Sequence, residues 1–191
     1  MKKLVSLLFT FVLVTGLFSP MSNHTAEAAF SYKKGDILIT NETSSKGILG
    51  HAAIYVGNGK VLHTSGWKSE PYPEYMKIKD WEKRYKKKVK VLRYKNAKTA
   101  SKAADQAVKN FKGKKKIPYG FTPAPTNMYK TYCSQLVWYS YYKAGVSYKA
   151  WVYNSKQDKH FWQVPSLIKP YQFTDYGNYS KNGFKLVDSK Y

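Results

Sequence analysis

The chain has 191 residues and a single cysteine, and its 33 Lys and Arg against 11 Asp and Glu give a formal net charge of +22. That length fits one domain able to bury its own core, and 43% hydrophobic with 17% aromatic residues is too apolar and ring-rich for wholesale disorder. One cysteine excludes an internal disulfide framework and any cysteine-rich zinc or iron–sulfur centre, but not a thiol nucleophile.

In chain order, residues 1–29 read as an export signal. Lys2 and Lys3 start it, residues 4–18 are an apolar run broken only by Ser, Thr and Gly, and Ala26-Glu27-Ala28 is an A-x-A cleavage pattern. The run is shorter than the ~20 residues a bilayer-spanning helix needs, so cleavage is expected over retention as an anchor. Residues 30–191 are then expected to form one domain, a monomer secreted or held at the cell wall by charge. Losing Lys2, Lys3 and Glu27 leaves the strong positive balance in place. Such a charge predicts attraction to an anionic cell-wall polymer or membrane surface. Nucleic acid is not expected as a partner, because no nucleic-acid-binding motif occurs and the segment at the start points to export.

Residues 35–40 predict a short strand. Residues 51–56 are apolar and end at Gly57-Asn58-Gly59, a strong hairpin signal, after which residues 60–64 return as a second strand. Residues 65–88 read as a loop-like elaboration carrying Trp67, Tyr72, Tyr75 and Trp81 among prolines and lysines, with Trp67 a candidate wall for substrate. Residues 89–94 alternate as a strand. Residues 99–111 are an Ala-rich helix closing at Gly113, and residues 132–144 a second helix closing at Gly145. The Tyr- and Trp-dense remainder is not resolved by pattern. The sum is an α+β class: an antiparallel, hairpin-rich sheet packed against helices on one side.

Cys133 falls in the first turn of the second helix. Unpaired backbone N–H groups and the positive end of the macrodipole there predict a lowered thiol pKa and a site for an oxyanion. The alternative reading is a small buried hydrophobe, the usual fate of a free cysteine. Of the three histidines in residues 30–191, His51 opens the first hairpin strand and His63 lies near the end of the second. The turn folds them opposite or diagonal to one another, so one imidazole can orient the other. His160 is expected at the surface.

These residues resemble a known family. GHAAIYVGNGKVLHTSG (50–66) is similar to the histidine hairpin of NlpC-type papain-like cysteine peptidases, including the twelve-residue step between the two histidines. PYGFTPAPTNMYKTYCSQLVWYSYYKAG (118–145) is similar to the nucleophile segment: Pro-Tyr, a short loop, then Cys-Ser heading an apolar helix. Here the hairpin precedes the cysteine, an order that resembles the circularly permuted branch, the YiiX/YebB-like hydrolases. The third position of that branch is frequently Glu, from which His63 departs.

The resemblance implies a permuted papain-like fold. It implies Cys133 as nucleophile, His51 as general base, His63 as orienter and Tyr119 as a hydroxyl assisting at the oxyanion site, with no metal and no cofactor. It further implies an exported thiol hydrolase cleaving an amide bond, peptidoglycan peptides being the first substrate expected. The alternative is a lipid acyl-amide or ester hydrolase or acyltransferase. Charge and aromatic content alone would also suit a non-catalytic cationic protein that binds wall or membrane.

Overall fold

The structure is a computed structural model that describes residues 30–43 and 49–191; the expected export signal lies outside them. Eight strands and four α-helices follow in the order β1 (Ile37–Thr40), β2 (His51–Gly57), β3 (Lys60–His63), β4 (Glu74–Lys77), α1 (Ile78–Arg84), β5 (Val89–Tyr94), α2 (Ala97–Phe111), α3 (Cys133–Lys143), β6 (Ala150–Asn154), β7 (Lys159–Gln163), α4 (Tyr176–Tyr179) and β8 (Phe184–Ser189), with a 3-10 turn at Pro170–Phe173. Six strands form one antiparallel sheet in the order β4-β3-β2-β1-β5-β8, and β6 with β7 makes a separate two-stranded ribbon. The α+β class and its antiparallel, helix-packed sheet are as the sequence leads one to expect.

Strand alternation divides the core in two. Ile37, Ile39, Ala52, Ile54, Leu62 and Leu92 point to one face, where α2 and α3 cover them. α2 meets the sheet with Ala100, Ala103, Ala104, Ala107 and Phe111, small side chains that let helix and sheet approach closely. Asn96 caps it by accepting from the Thr99 N–H, so the helix begins at Ala97, two residues before the start that the Ala pattern suggests. α3 is wrapped almost entirely: Leu136, Val137, Trp138 and Tyr141 are all buried, Trp138 donates Nε1–H to the Tyr148 carbonyl and the Tyr141 hydroxyl to that of Gly35.

The other face carries Leu38, Ala53, Val61, Val89 and Val91 under Trp81 and Tyr85. Here the structure corrects two expectations. Residues 65–88 are no mere loop: they supply the edge strand β4 and the helix α1. Helices also lie on both faces, because α1 folds back and drops Trp81, with no exposed surface, onto the sheet. Trp81 is therefore core and not a wall of a cleft.

Candidate active site

The β2–β3 hairpin sets the imidazoles. Asn58 (φ 51°) and Gly59 (φ 66°) both take the left-handed conformation that a two-residue hairpin turn requires. Ile54 pairs with Leu62, so one step further His63 faces Ala53, two residues along β2 from His51. The rings are thus diagonal neighbours on one face, and His51 Nε2 lies 3.2 Å from His63 Nδ1. His51 stacks on Trp81 (5.3 Å between centroids, 25° between planes), and Tyr85 closes on it at 5.6 Å. Both imidazoles are buried. Burial first, then the neighbouring His63 and Arg84, pushes His51 well below the ordinary histidine value. Burial also brings His63 down to about 4, against an upward pull from Glu70. Both rings are neutral at pH 7.

Among the described residues His63 Nε2 has no hydrogen-bond partner, and His63 gathers with Glu70 and Glu74, one ligand atom from each lying within 4.8 Å of the others. Glu70 accepts from both terminal nitrogens of Arg84, at 2.9 and 2.7 Å, and this fork holds its carboxyl down at about 2. Glu74 is raised, by burial and by the charge of Glu70. Arg84 also lies 4.9 Å over the ring of Trp67. Among the described residues His63, Glu70 and Glu74 are the group able to hold a metal ion. A cation there would have to share Glu70 with a guanidinium, so the donor set suits an orienting carboxylate better than a metal centre. Glu70, Glu74 and Arg84 carry no signal in the sequence: β4 sets Glu74 opposite His63, the loop before it carries Glu70, and the return of α1 brings Arg84 onto Glu70.

Cys133 opens α3, its preceding residue Tyr132 extended and making no side-chain cap. It belongs to the α2/α3 face and His51 to the α1 face, and both line one cavity where β2 begins. The thiol donates to Ser134 Oγ at 3.9 Å, and N–H groups of Ala52, Ser134 and Cys133 itself hold the sulfur, contacts that favour the thiolate. Burial outweighs them and pushes the thiol up, contrary to the lowered pKa expected from a helix start alone. The Ser134 hydroxyl also donates to the Ile168 carbonyl (2.7 Å), while the Ile168 N–H donates to the Tyr132 hydroxyl (2.9 Å), so the segment after β7 is pinned across the head of α3. Gln135 donates to Thr122 Oγ1 and the Asn127 carbonyl, ordering the approach loop.

Tyr119 is fixed through its backbone, its N–H donating to the Pro71 carbonyl, and by a bridge to Thr131. Its ring lies so close to Gly66 that a Cβ there would come within 2.8 Å of it. Burial and the nearby Cys133 raise its hydroxyl to about 12, so it remains a donor. His160 is exposed on β7 beside Tyr153, away from this cluster.

Two cavities meet at the sulfur. One, of about 440 Å³, is mixed in character and the more polar of the two, lined by His51, Glu42, Ser65, Trp67, Arg84 and Tyr85. The other, of about 420 Å³, is mainly apolar, with Phe121, Tyr132, Trp151, Leu167, Ile168 and Tyr171 in its walls. Leu49, Gly50, Tyr119 and Cys133 line both and form the ridge between them.

A family model described as "Lipoprotein N-acylation protein LnsA-like" matches residues 1–186. An uncharacterized 30.3 kDa protein of Bacillus thuringiensis is 34% identical over 139 residues, covering 66% of this chain and 50% of that protein, so the chain spans about half the length of this curated relative. No solved structure matches. The family description points to an enzyme of acyl chemistry with a lipid-related substrate, and so favours the second substrate class expected from the sequence over the first.

Proposed function

Since the chain belongs to the LnsA-like lipoprotein N-acylation family, we propose that it is a thiol enzyme that removes an acyl group from a lipid and holds it as a thioester on Cys133. The observation that carries this reading is the position of Cys133 between a mainly apolar cavity and a more polar one that holds His51, Glu42 and Arg84. A lipid carbonyl has hydrocarbon on one side and a polar leaving group on the other. A cell-wall peptide is polar on both sides and would leave the apolar cavity empty of suitable partners. The hairpin-before-cysteine order supports a permuted papain-like, NlpC-related domain over residues 30–191, and the leader at residues 1–29 supports action outside the cytoplasm.

With thiol and imidazole both neutral at rest, His51 acts as a general base and not as half of a preformed ion pair. His51 Nε2 is engaged by His63, so Nδ1 is the nitrogen that takes the thiol proton as sulfur attacks the carbonyl carbon. The oxyanion is met by first-turn N–H groups of α3, with the Tyr119 hydroxyl as a further donor. Collapse of the adduct breaks the carbonyl bond to the leaving oxygen or nitrogen, which departs with the proton from His51, and the thioester remains. A second nucleophile, water or an amine, gives its proton to His51, attacks the thioester and restores the thiol, yielding acid or amide. His63, backed by Glu70 and Arg84, fixes the ring of His51 throughout. Trp67 and Arg84 form the wall toward the polar headgroup.

The test gives the purified, reduced protein phospholipid vesicles carrying labelled acyl chains and, separately, peptidoglycan. Label leaving the lipid with wild type and not with Cys133→Ala is the expected result. Soluble peptide fragments from peptidoglycan, with lipid untouched, would overturn the assignment.

A further inference from the structure

The molecule exposes several large apolar side chains, and a group of them gathers in one place. Leu49 (68% exposed), Phe121 (62%), Trp151 (44%) and Leu167 (40%) all line the apolar cavity that ends at Cys133, so they rim a single mouth. An exposed apolar cluster on one face of a highly charged protein marks an interaction surface. Trp151 continues the rim into the β6–β7 ribbon, where it pairs with Trp162 at 5.5 Å and Tyr153 pairs with His160 at 5.2 Å.

The ribbon does not cover this surface with protein. Only its base is tied down, through buried Ala150, the Trp151 N–H to Asn178 Oδ1, and Asn182 on the backbone of Lys149. Beyond that base both strands project, each residue at least partly exposed. Lysines surround the rings: Lys181 lies 4.8 Å over Trp151 and 5.5 Å over Trp162, and Lys149, Lys156, Lys159 and Lys169 flank them. The acids in this stretch are Asp158, which accepts from the Tyr153 hydroxyl, and Asp175, which caps α4.

Indole and phenol rings with an apolar body and a polar tip, set among lysines beside an apolar rim, match the boundary between headgroups and acyl chains. We propose that the β6–β7 ribbon and the cavity rim dock onto an anionic lipid bilayer, so that an acyl chain passes from the membrane into the apolar cavity without crossing water. This deepens the acyl-lipid assignment and rests on it for the identity of the chain that enters. The lysines supply attraction to anionic headgroups. The rings supply depth, which charge alone does not.

The experiment is co-sedimentation of the full chain with vesicles of phosphatidylglycerol or phosphatidylcholine, together with turnover on vesicle lipid and on a soluble short-chain thioester. One variant carries Tyr153→Ser, Lys156→Gln and Lys159→Gln at the ribbon tip. A second carries Lys98→Gln and Lys102→Gln on the exposed side of α2, the same loss of charge elsewhere. The tip variant is expected to partition to phosphatidylglycerol vesicles at least tenfold less than wild type and to lose vesicle turnover in parallel, while short-chain turnover stays unchanged. The α2 variant is expected to stay within about twofold of wild type. Wild type failing to bind anionic vesicles, or both variants losing binding equally, would overturn the docking surface. Normal docking of a protein that turns over neither substrate would sustain the surface and overturn the acyl-lipid assignment, so the two failures are distinguishable.

Discussion

The two cavities that meet at Cys133 are nearly equal in volume and differ in character, one mainly apolar and the other more polar. The more polar one is built by the start of β2, the loop after β3 and the end of α1, which place His51, the face of Trp67 and Arg84, forked on Glu70, along its wall. The apolar one is built by the approach loop, the head of α3 and the segment after β7. The first holds fixed charge and proton-transfer groups; the second offers shape and hydrocarbon. In the proposed mechanism, proton transfer thus belongs to one side of the sulfur and substrate selection to the other. Substitutions on the two sides should fail in different ways.

Removing the group they share has the largest effect. Cys133→Ala should abolish turnover while leaving the circular dichroism spectrum and melting curve close to wild type, because a small side chain is replaced by a smaller one. On the polar side, His51→Ala should lower kcat by about 10²- to 10⁴-fold, the usual contribution of general base catalysis. His63→Ala should cost less in kcat, since an orienter acts through the base. Steady-state rates on a soluble acyl substrate check both.

Glu70→Gln should cost about tenfold in kcat, the low end of what lost orienting partners cost elsewhere, with a signature in pH. The negative charge of Glu70 raises His63, whereas Arg84 lowers both imidazoles. Neutralising Glu70 leaves Arg84 uncompensated, so the acid limb of the rate profile should move to lower pH. In wild type that limb already lies below the ordinary histidine value of 6.5, since His51 must be neutral to act and burial holds it so.

The same burial couples stability to pH. His63 titrates near 4 in the folded protein and near 6.5 unfolded, so between those values the unfolded chain binds more protons. Stability should be full above about pH 6.5 and fall as pH drops toward 4, by about 3 kcal/mol for this group alone. His51 acts in the same direction. Denaturant titrations at pH 7 and pH 4.5 measure it.

On the apolar side, Leu167→Asn should leave short-chain turnover nearly unchanged and raise KM for long-chain substrates several-fold. That split is the reverse of the one expected for the polar side. A loss of kcat regardless of chain length would erase the contrast between the cavities.

Much of the catalytic side is legible in the sequence because it is local. Asn58-Gly59 fixes the hairpin register, the register fixes His51 against His63, and the Gly145 stop frames a helix that starts at Cys133. What the sequence conceals is tertiary. β4 is a four-residue edge strand just after Pro73, and α1 spans seven residues without a side-chain cap, too little for pattern to reveal. Their return buries Trp81 and delivers Glu70 and Arg84 to His63. The thiol is misjudged for the same reason: a helix start is visible in sequence, whereas the burial that outweighs it is not. The β6–β7 ribbon turns without glycine at Asn154-Ser155-Lys156-Gln157-Asp158, and its strands are half-exposed on both faces, so neither alternation nor turn chemistry announces it.

The central claim, a thiol that carries an acyl group between two unlike cavities, is most directly tested by intact-mass and peptide mass spectrometry of the protein quenched in acid after brief contact with a long-chain diacyl lipid. The account predicts a mass increment of one acyl chain on the peptide containing Cys133, discharged by neutral hydroxylamine and accumulating when the second nucleophile is withheld. A protein that consumes the lipid while Cys133 stays unmodified at every time point, or that acquires the acyl group at another residue, would contradict it.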